Sequence, residues 1–328
     1  MTAAESAPSP TTPVRVERDL DGRRLTVTID RPDVMNALDR STLRALRAAF
    51  VEAGDDDRVG VVVLTGSGER AFSTGADLGE QEQFLVRPND YWSWMGVFID
   101  AIDAIRSCPR PTIARLNGMV VGGGNELNLA CDLAIAADDI AIRHVGPSRG
   151  SLPAGGATQW LPITIGDRRA REMLFLNRPV RAPKALEWGL VNRCVPRDQL
   201  DMEVDNLSHE LLAKLPETLR ATKAWTHFWK DLSWGLTIRP AREWLTIHAA
   251  SAEVRAGLES FRDKRLPDYE ALRAAMADAG SVGGDPSRGA APRSSFCPGC
   301  GSAVEPDFRF CPACGSALLA AGEAGGGS

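Results

Sequence analysis

The sequence predicts a mixed α/β fold that passes into an all-helical region and ends in a small separate module. Three features of the 328-residue chain carry that expectation. Short apolar runs alternate with segments of helical period as far as about Arg197. Beyond that point the strand-like runs stop and helical periods take over. Four of the seven cysteines then crowd together near the end, after a stretch rich in Gly, Ala, Ser and Pro.

Residues 1–13 are polar and punctuated by proline, and are expected to be a disordered tail. Val14–Asp19 and Arg24–Ile29 alternate apolar and polar side chains around Asp21-Gly22, which predicts a β-hairpin. A loop at Arg31–Met35 precedes helical spacing over Ser41–Ala53. Val59–Gly66 is nearly all apolar, as in a strand buried on both faces. A polar loop, a long helix around Tyr91–Ser107 and a strand at Pro111–Leu116 follow. A glycine-rich turn then leads into a helix at Asn125–Ala130 and a strand at Leu133–Ala136. Such alternation favours largely parallel strands joined by right-handed crossovers. Leu200–Lys214, Pro216–Leu232 and Pro240–Arg262 carry helical periods, with both prolines expected near helix starts. The predicted organisation is a tail at 1–13, a main domain at 14–277, a flexible linker at 278–295, a cysteine module at 296–319 and a loose end at 320–328.

Composition narrows the function classes. A chain with 44% hydrophobic and 25% charged residues and a net charge of −5 is that of a globular protein. It lacks the basic stripe that nucleic-acid binding needs. No apolar run approaches the roughly 20 residues of a membrane helix. Met1–Pro13 has no apolar core of the kind that marks a secretory signal, so a cytoplasmic protein is expected. Cys108, Cys131 and Cys194 lie scattered among apolar neighbours, as buried thiols do.

The cysteine module reads Phe296-Cys297-Pro298-Gly299-Cys300-Gly301 and again Phe310-Cys311-Pro312-Ala313-Cys314-Gly315. Two CxxC knuckles place Cys297, Cys300, Cys311 and Cys314 for tetrahedral zinc, and the glycine after each pair permits the tight turn. Two CxxC disulfides are the alternative. With four protein ligands the zinc is expected to be structural, holding together a module too small to fold without it. Its expected use is contact with a protein partner, since Arg309 is its one basic residue.

Two loop-to-helix segments point to chemistry: Ala71-Phe72-Ser73-Thr74-Gly75-Ala76-Asp77-Leu78, and Asn117 to Leu127 with Gly122-Gly123-Gly124 at its centre. Consecutive glycines entering a helix let backbone amides approach a ligand where the helix terminus favours negative charge. A phosphate loop or a tight turn in the core is the alternative, although a Walker lysine and the GxGxxG spacing are both missing.

These segments, in order with Arg31-Pro32-Asp33-Val34-Met35-Asn36-Ala37-Leu38 and Lys184 to Asn192, closely resemble the enoyl-CoA hydratase/isomerase (crotonase) superfamily from about Val14 to Tyr269. The resemblance implies a repeated ββα spiral with a C-terminal helical trimerisation region, assembled as a homotrimer or as a hexamer made of two trimers. It implies an acyl-CoA substrate, with coenzyme A as part of that substrate. The backbone amides of Ala76 and Gly123 become an oxyanion hole for the thioester carbonyl, and Glu126 an acid/base; a solvated charge at the helix start is the alternative for Glu126. Arg31, Met35, Ala37, Ala76, Asp77 and Leu78 become contacts to CoA. Lys264 and Arg265, in a stretch similar to the family's tail, are candidates for its phosphates, with solvated surface charge the alternative.

One family position departs. The second glutamate of typical hydratases aligns with Gly146. The surrounding Gly146-Pro147-Ser148-Arg149-Gly150-Ser151-Leu152-Pro153-Ala154-Gly155-Gly156 is similar to the loop of the 6-oxocyclohex-1-ene-1-carbonyl-CoA hydrolase group and, less closely, of the dihydroxynaphthoyl-CoA synthase group. Ala154 stands where the hydrolase carries an aspartate. His144 is the nearest candidate replacement by sequence, with a packed or surface histidine as its alternative. Ser148 and Ser151 are candidates to orient water, and Trp92 and Trp94 to line an acyl pocket for a cyclic or aromatic substrate, with aromatic core packing as the alternative for the tryptophans. The expected activity is therefore a hydratase-like lyase, with hydration and ring opening of a cyclic oxoacyl-CoA as the specialised form. The alternative is a crotonase-fold assembly subunit with little catalysis, recruiting partners through the ribbon.

Overall fold

A computed structural model describes residues 12–281 and the single position 314. The expected linker beyond Ser281, the other three cysteines of the module and both outer tails lie outside the described residues. Two compact units meet between Pro267 and Asp268.

The larger unit begins with the predicted hairpin, β1 (Val14–Asp19) and β2 (Arg24–Ile29), paired antiparallel from Val14 with Ile29 to Asp19 with Arg24. Helix α1 (Arg40–Asp55) follows, its first turn capped by the Asp39 carboxylate, which accepts from Thr42 N–H at 2.7 Å. Thr42, Leu43, Leu46, Ala49, Phe50 and Ala53 form its buried stripe. From there the chain repeats one pattern three times. A strand in a large sheet leads to a three-residue strand in a second sheet and then to helix. The repeats run β3 (Val61–Gly66) and β4 (Ala71–Ser73) into α2 (Leu78–Phe84) and α3 (Pro88–Arg106); β5 (Thr112–Leu116) and β6 (Met119–Val121) into α4 (Gly123–Ala130); and β7 (Leu133–Ala137) and β8 (Ala141–Arg143) into a short 3-10 turn and α5 (Ala157–Ile165). This is the ββα spiral expected from the resemblance.

Helix α6 (Asp167–Leu176), β9 (Val180–Arg181), α7 (Ala182–Trp188) and β10 (Arg193–Val195) complete the two sheets. The first has the order β1-β2-β3-β5-β7-β10, parallel apart from the opening hairpin. The second has the order β4-β6-β8-β9, with β9 antiparallel. Every residue of β3 is buried, as an all-apolar central strand requires.

Helices α8 (Leu200–Leu212), α9 (Pro216–Thr226), α10 (Phe228–His248) and α11 (Ala252–Arg262) then follow with no strand among them. Pro216 opens α9 as expected, but Pro240 sits inside α10. Trp234, Ile238 and Leu245 are buried on both sides of Pro240, so packing holds the helix across the missing N–H. Helix α12 (Tyr269–Ser281) makes up the described part of the second unit. It continues to Ser281, past Asp278 where a linker is expected, because its Ala-rich sequence favours helix. Among the described residues no helix is long and apolar enough to cross a membrane.

Candidate active site

The two glycine segments of the sequence meet at one point. Gly75, at φ +82°, is so close to the start of α4 that an added Cβ would lie 2.7 Å from Gly123 N and 2.9 Å from Val121 O. Gly122 caps α4 at φ 54° and ψ −117°, a conformation that admits only glycine. A Cβ on Gly124 would run into the Ser73 carbonyl. Gly75 and Gly124 are required by close packing of one backbone on another, and Gly122 by its backbone conformation.

Ala76 forms an isolated parallel bridge with Leu38. Leu38 N–H donates to Gly75 O at 2.8 Å, and Asp77 N–H donates to Leu38 O at 3.0 Å. Both bonds use the neighbours of Ala76, so its own N–H points to the opposite side, where Ala76 lines a large cavity. Gly123 is the first residue of α4, and its N–H precedes the intrahelical ladder. Ala76, two residues ahead of α2, and Gly123, the first residue of α4, thus line one cavity, and the helix N-terminus at Gly123 suits negative charge on an oxygen.

That cavity has a volume of ≈ 580 Å³. One wall is the inner face of α3, where Tyr91, Trp94 and Phe98 stack in series at 5.8 and 5.4 Å between ring centroids. Phe84 of α2 meets Tyr91 edge-on at 5.0 Å. The i, i+3, i+4, i+7 spacing of Tyr91, Trp94, Met95 and Phe98 puts all four on one side of the helix. Trp94 Nε1–H donates to Glu80 Oε2 at 2.7 Å, which fixes that ring. Trp92 lies elsewhere, stacked under Arg242 at 3.8 Å.

Glu126, in the first turn of α4, reaches this cavity with 5% of its surface exposed. Burial among apolar groups raises its carboxyl to about 7, while N–H groups of Ala157 and Gly155 partly offset the rise. The Ala157 N–H lies 3.4 Å from Oε1. Tyr91 is another buried proton-bearing group that lines the space. Burial holds its phenol well above the ordinary value, and the Glu126 charge raises it further.

The position of the missing second acid is closed. A Cβ on Gly146 would lie 2.6 Å from Ser151 O and 3.0 Å from Pro153 Cδ. Residues 146–149 coil into a 3-10 turn, and Gly150, at φ +68°, presses onto the first turn of α11.

Other expected site residues are placed with mixed outcomes. Met35, Ala37, Asp77 and Leu78 line the cavity with Ala76. Asp77 also caps α2, accepting from Gly79 N–H at 2.9 Å. Arg31 is instead a brace: it donates to Ala37 O at 2.7 Å and pairs with Asp77 at 3.1 Å and Asp39 at 3.2 Å. Lys264 and Arg265 line a separate basic cleft with Arg149 and Arg262. His144 is fully buried and pushed down to about 3 by burial, so it is a neutral imidazole. Its Nε2 takes a hydrogen bond from Asn125 at 2.9 Å, and its Nδ1 has no protein partner. Ser148 turns inward to Val145 O, whereas Ser151 and Ala154 reach the cavity. Sequence reasoning did not single out Tyr91 as a cavity residue, although the aromatic period of α3 pointed to the wall that holds it. Among the described residues no cluster of His, Cys, Asp and Glu is arranged to hold a metal.

Comparison with known proteins bears on the family and the fold. The family model for enoyl-CoA hydratase/isomerase matches residues 24–272, and a zinc-ribbon model matches residues 296–318. An enoyl-CoA hydratase from Mycobacterium avium subsp. paratuberculosis K-10 superposes with a TM-score of 0.71 at 26% identity, covering 79% of this chain and 99% of that one. Pseudomonas aeruginosa DspI has a TM-score of 0.62 at 29% identity, over 81% of this chain and 100% of its own. An enoyl-CoA hydratase from Bacillus halodurans, at 23% identity, shares the fold with a TM-score of 0.71 over 76% of this chain and 99% of that one. The chain belongs to the enoyl-CoA hydratase/isomerase family and carries a zinc-ribbon domain at its C-terminus.

Proposed function

We propose that the protein is an acyl-CoA enzyme that stabilises a thioester enolate between the Ala76 and Gly123 amides and moves protons with a single carboxyl group, Glu126. The observation that carries this reading is the burial of Glu126 in the cavity that both outward-facing amides border. Charge that builds on the thioester oxygen meets donors already in place, and losing one such donor costs about 3–4 kcal/mol.

One carboxyl suffices for the addition of water to an enoyl thioester. The Glu126 carboxylate takes a proton from water as the water oxygen bonds to the distal alkene carbon. The alkene electrons move onto the thioester oxygen as an enolate. Glu126 then returns the proton to the carbon beside the carbonyl, so one water is added and the carboxylate is restored. A group near 7 exists in both protonation states at neutral pH, as this cycle requires. Ring opening of a cyclic oxoacyl-CoA uses the same two transfers. Water adds to the ring ketone, the bond to the carbon beside the thioester breaks, and that carbon receives the proton. The aromatic wall and the Gly146–Gly156 loop favour such a cyclic acyl group as the specialised substrate.

Turnover of straight-chain, aromatic and alicyclic enoyl- and oxoacyl-CoAs tests the reading. Glu126→Gln should lower kcat by at least about 100-fold and leave CoA-thioester affinity nearly unchanged. Undiminished turnover in that variant would remove Glu126 from the reaction.

We assign the exposed apolar side chains of α9 and α10, including Trp225, Phe228, Trp229 and Leu236, to self-association as a trimer or hexamer. The four thiols of the ribbon suit structural zinc. Its role in this reading is to hold a protein partner, outside the catalytic cycle.

A further inference from the structure

We propose that Lys230, at the C-terminal end of α4, is a positioning residue for the oxyanion hole, its charge strengthening the hold of the helix's other end on the thioester oxygen. The inference rests on the enolate reading above and adds to it a side chain that does not line the cavity.

Helix α4 has eight residues, so its two ends stand only about 12 Å apart. Aligned peptide dipoles leave about half a positive charge at the Gly123 end and about half a negative charge at the other. In so short a helix the negative end partly offsets what the positive end does to an oxygen beside Gly123. Lys230 of α10 sits on that negative end, where its Nζ donates to Leu129 O at 2.7 Å.

Three features keep this charge effective. The carboxylate of Asp132 is occupied by Lys223, His227 and Thr112, and Lys230 forms no ion pair among the described residues. Its Nζ lies over the ring of Trp160 at 5.4 Å, and that ring is fully buried against Trp234, so little water screens it. Trp160 Nε1–H also donates to Lys230 O at 3.2 Å, which fixes the backbone that carries the ammonium. Burial holds the ammonium below the ordinary lysine value, and withdrawing it from water costs folding free energy that an apolar side chain of like length does not. What it contributes is a field. A unit charge about 15 Å from the reacting oxygen, at an effective dielectric constant of about 20, changes a rate about fivefold.

The probe is 4-dimethylaminocinnamoyl-CoA, whose absorption moves to the red when its carbonyl oxygen is polarised. In full-length protein carrying Glu126→Gln, so that the probe is bound and not consumed, its band should shift to the red. Adding Lys230→Met should reduce that shift, and adding Lys230→Arg should keep it. Lys184→Met, which removes an exposed charge from α7, should leave the shift as it was. In the kinetic arm, protein with Glu126 intact is assayed at pH 8, above the Glu126 value of about 7. There Lys230→Met should lower kcat for crotonyl-CoA or cyclohex-1-ene-1-carbonyl-CoA about fivefold, with KM within about twofold. Lys230→Gln carries the same test should the methionine variant not fold. An unchanged shift in the uncharged variants, or a loss in Lys230→Arg as large as in Lys230→Met, overturns this inference alone. No shift in the Glu126→Gln parent removes the enolate reading as well.

Discussion

At the scale of single residues, Glu126 ties function to stability. Its carboxyl is raised above an ordinary glutamate because the folded state offers a charge little water and only two backbone N–H groups. A folded pKa raised above the unfolded one contributes stability that is complete below about 4.5 and is lost as pH rises through about 7. Glu126→Gln removes that dependence. Relative to wild type the variant should therefore gain stability between pH 5 and pH 8, by roughly 2–3 kcal/mol. Denaturant melts at both pH values check it, and equal differences at the two would show that the carboxyl is already ionised at pH 5. The same titration sets the rate: kcat/KM should rise with pH through about 7 as the carboxylate forms.

The residues that carry this site differ in how far they could be read beforehand. Ala76, Gly123 and Glu126 sit in contiguous motifs whose glycines are forced by backbone contact, so their spacing survives in the sequence. Tyr91 and Ser151 are sixty positions apart in sequence and come to line one cavity only in the folded chain. Arg31 sits in a matching motif, yet its charge is satisfied internally by Asp39 and Asp77. A motif match does not show which way a guanidinium turns.

At the scale of elements, α4 is the piece that joins catalysis to the helical region. Its N-terminus carries Gly123 and Glu126. Just past its other end, Asp132 accepts from Thr112 N–H and Oγ1 at 2.8 Å each and pairs with Lys223 of α9 at 2.7 Å. His227, between α9 and α10, approaches the same carboxylate at 3.3 Å. Burial works against the Asp132 charge, but His227, Lys223 and Thr112 together hold its carboxyl below the ordinary value. Lys230 of α10 adds a hydrogen bond to Leu129 O at 2.7 Å. Asp132→Ala should cost about 3–5 kcal/mol, because it leaves Lys223 buried without its partner. Calorimetry measures the loss, and hydrogen exchange should show α9 and α10 opening first. A change below about 1 kcal/mol would mean the cluster is solvated in solution. None of this was legible in sequence, since Asp132, Lys223 and His227 follow no shared period. The three-residue strands β4, β6 and β8 were missed for a related reason: they are too short to display alternation.

At the scale of the whole molecule, the chain joins an enoyl-CoA hydratase/isomerase domain to a cysteine module. Every residue assigned to the cavity and its chemistry lies before Pro267. The four cysteines lie at 297–314, beyond a stretch rich in Gly, Ala, Ser and Pro that separates them in sequence from the last catalytic element. The family domain and the zinc ribbon were both legible from the sequence because each rests on local motifs, whereas helix α12, which runs to Ser281, was not singled out because it carries no motif of its own. Truncation after Ser295 should therefore leave kcat and KM within about twofold and remove one zinc per chain, measured by metal analysis of both forms. Cys297→Ser with Cys300→Ser in the full chain should release the same zinc without altering turnover. A pull-down with full-length and truncated protein then assigns the module's use, the partner being lost with the ribbon. A fall in kcat on truncation that recurs in the double cysteine variant would instead make the folded ribbon part of the working enzyme. Separation of the two roles would then have to be given up.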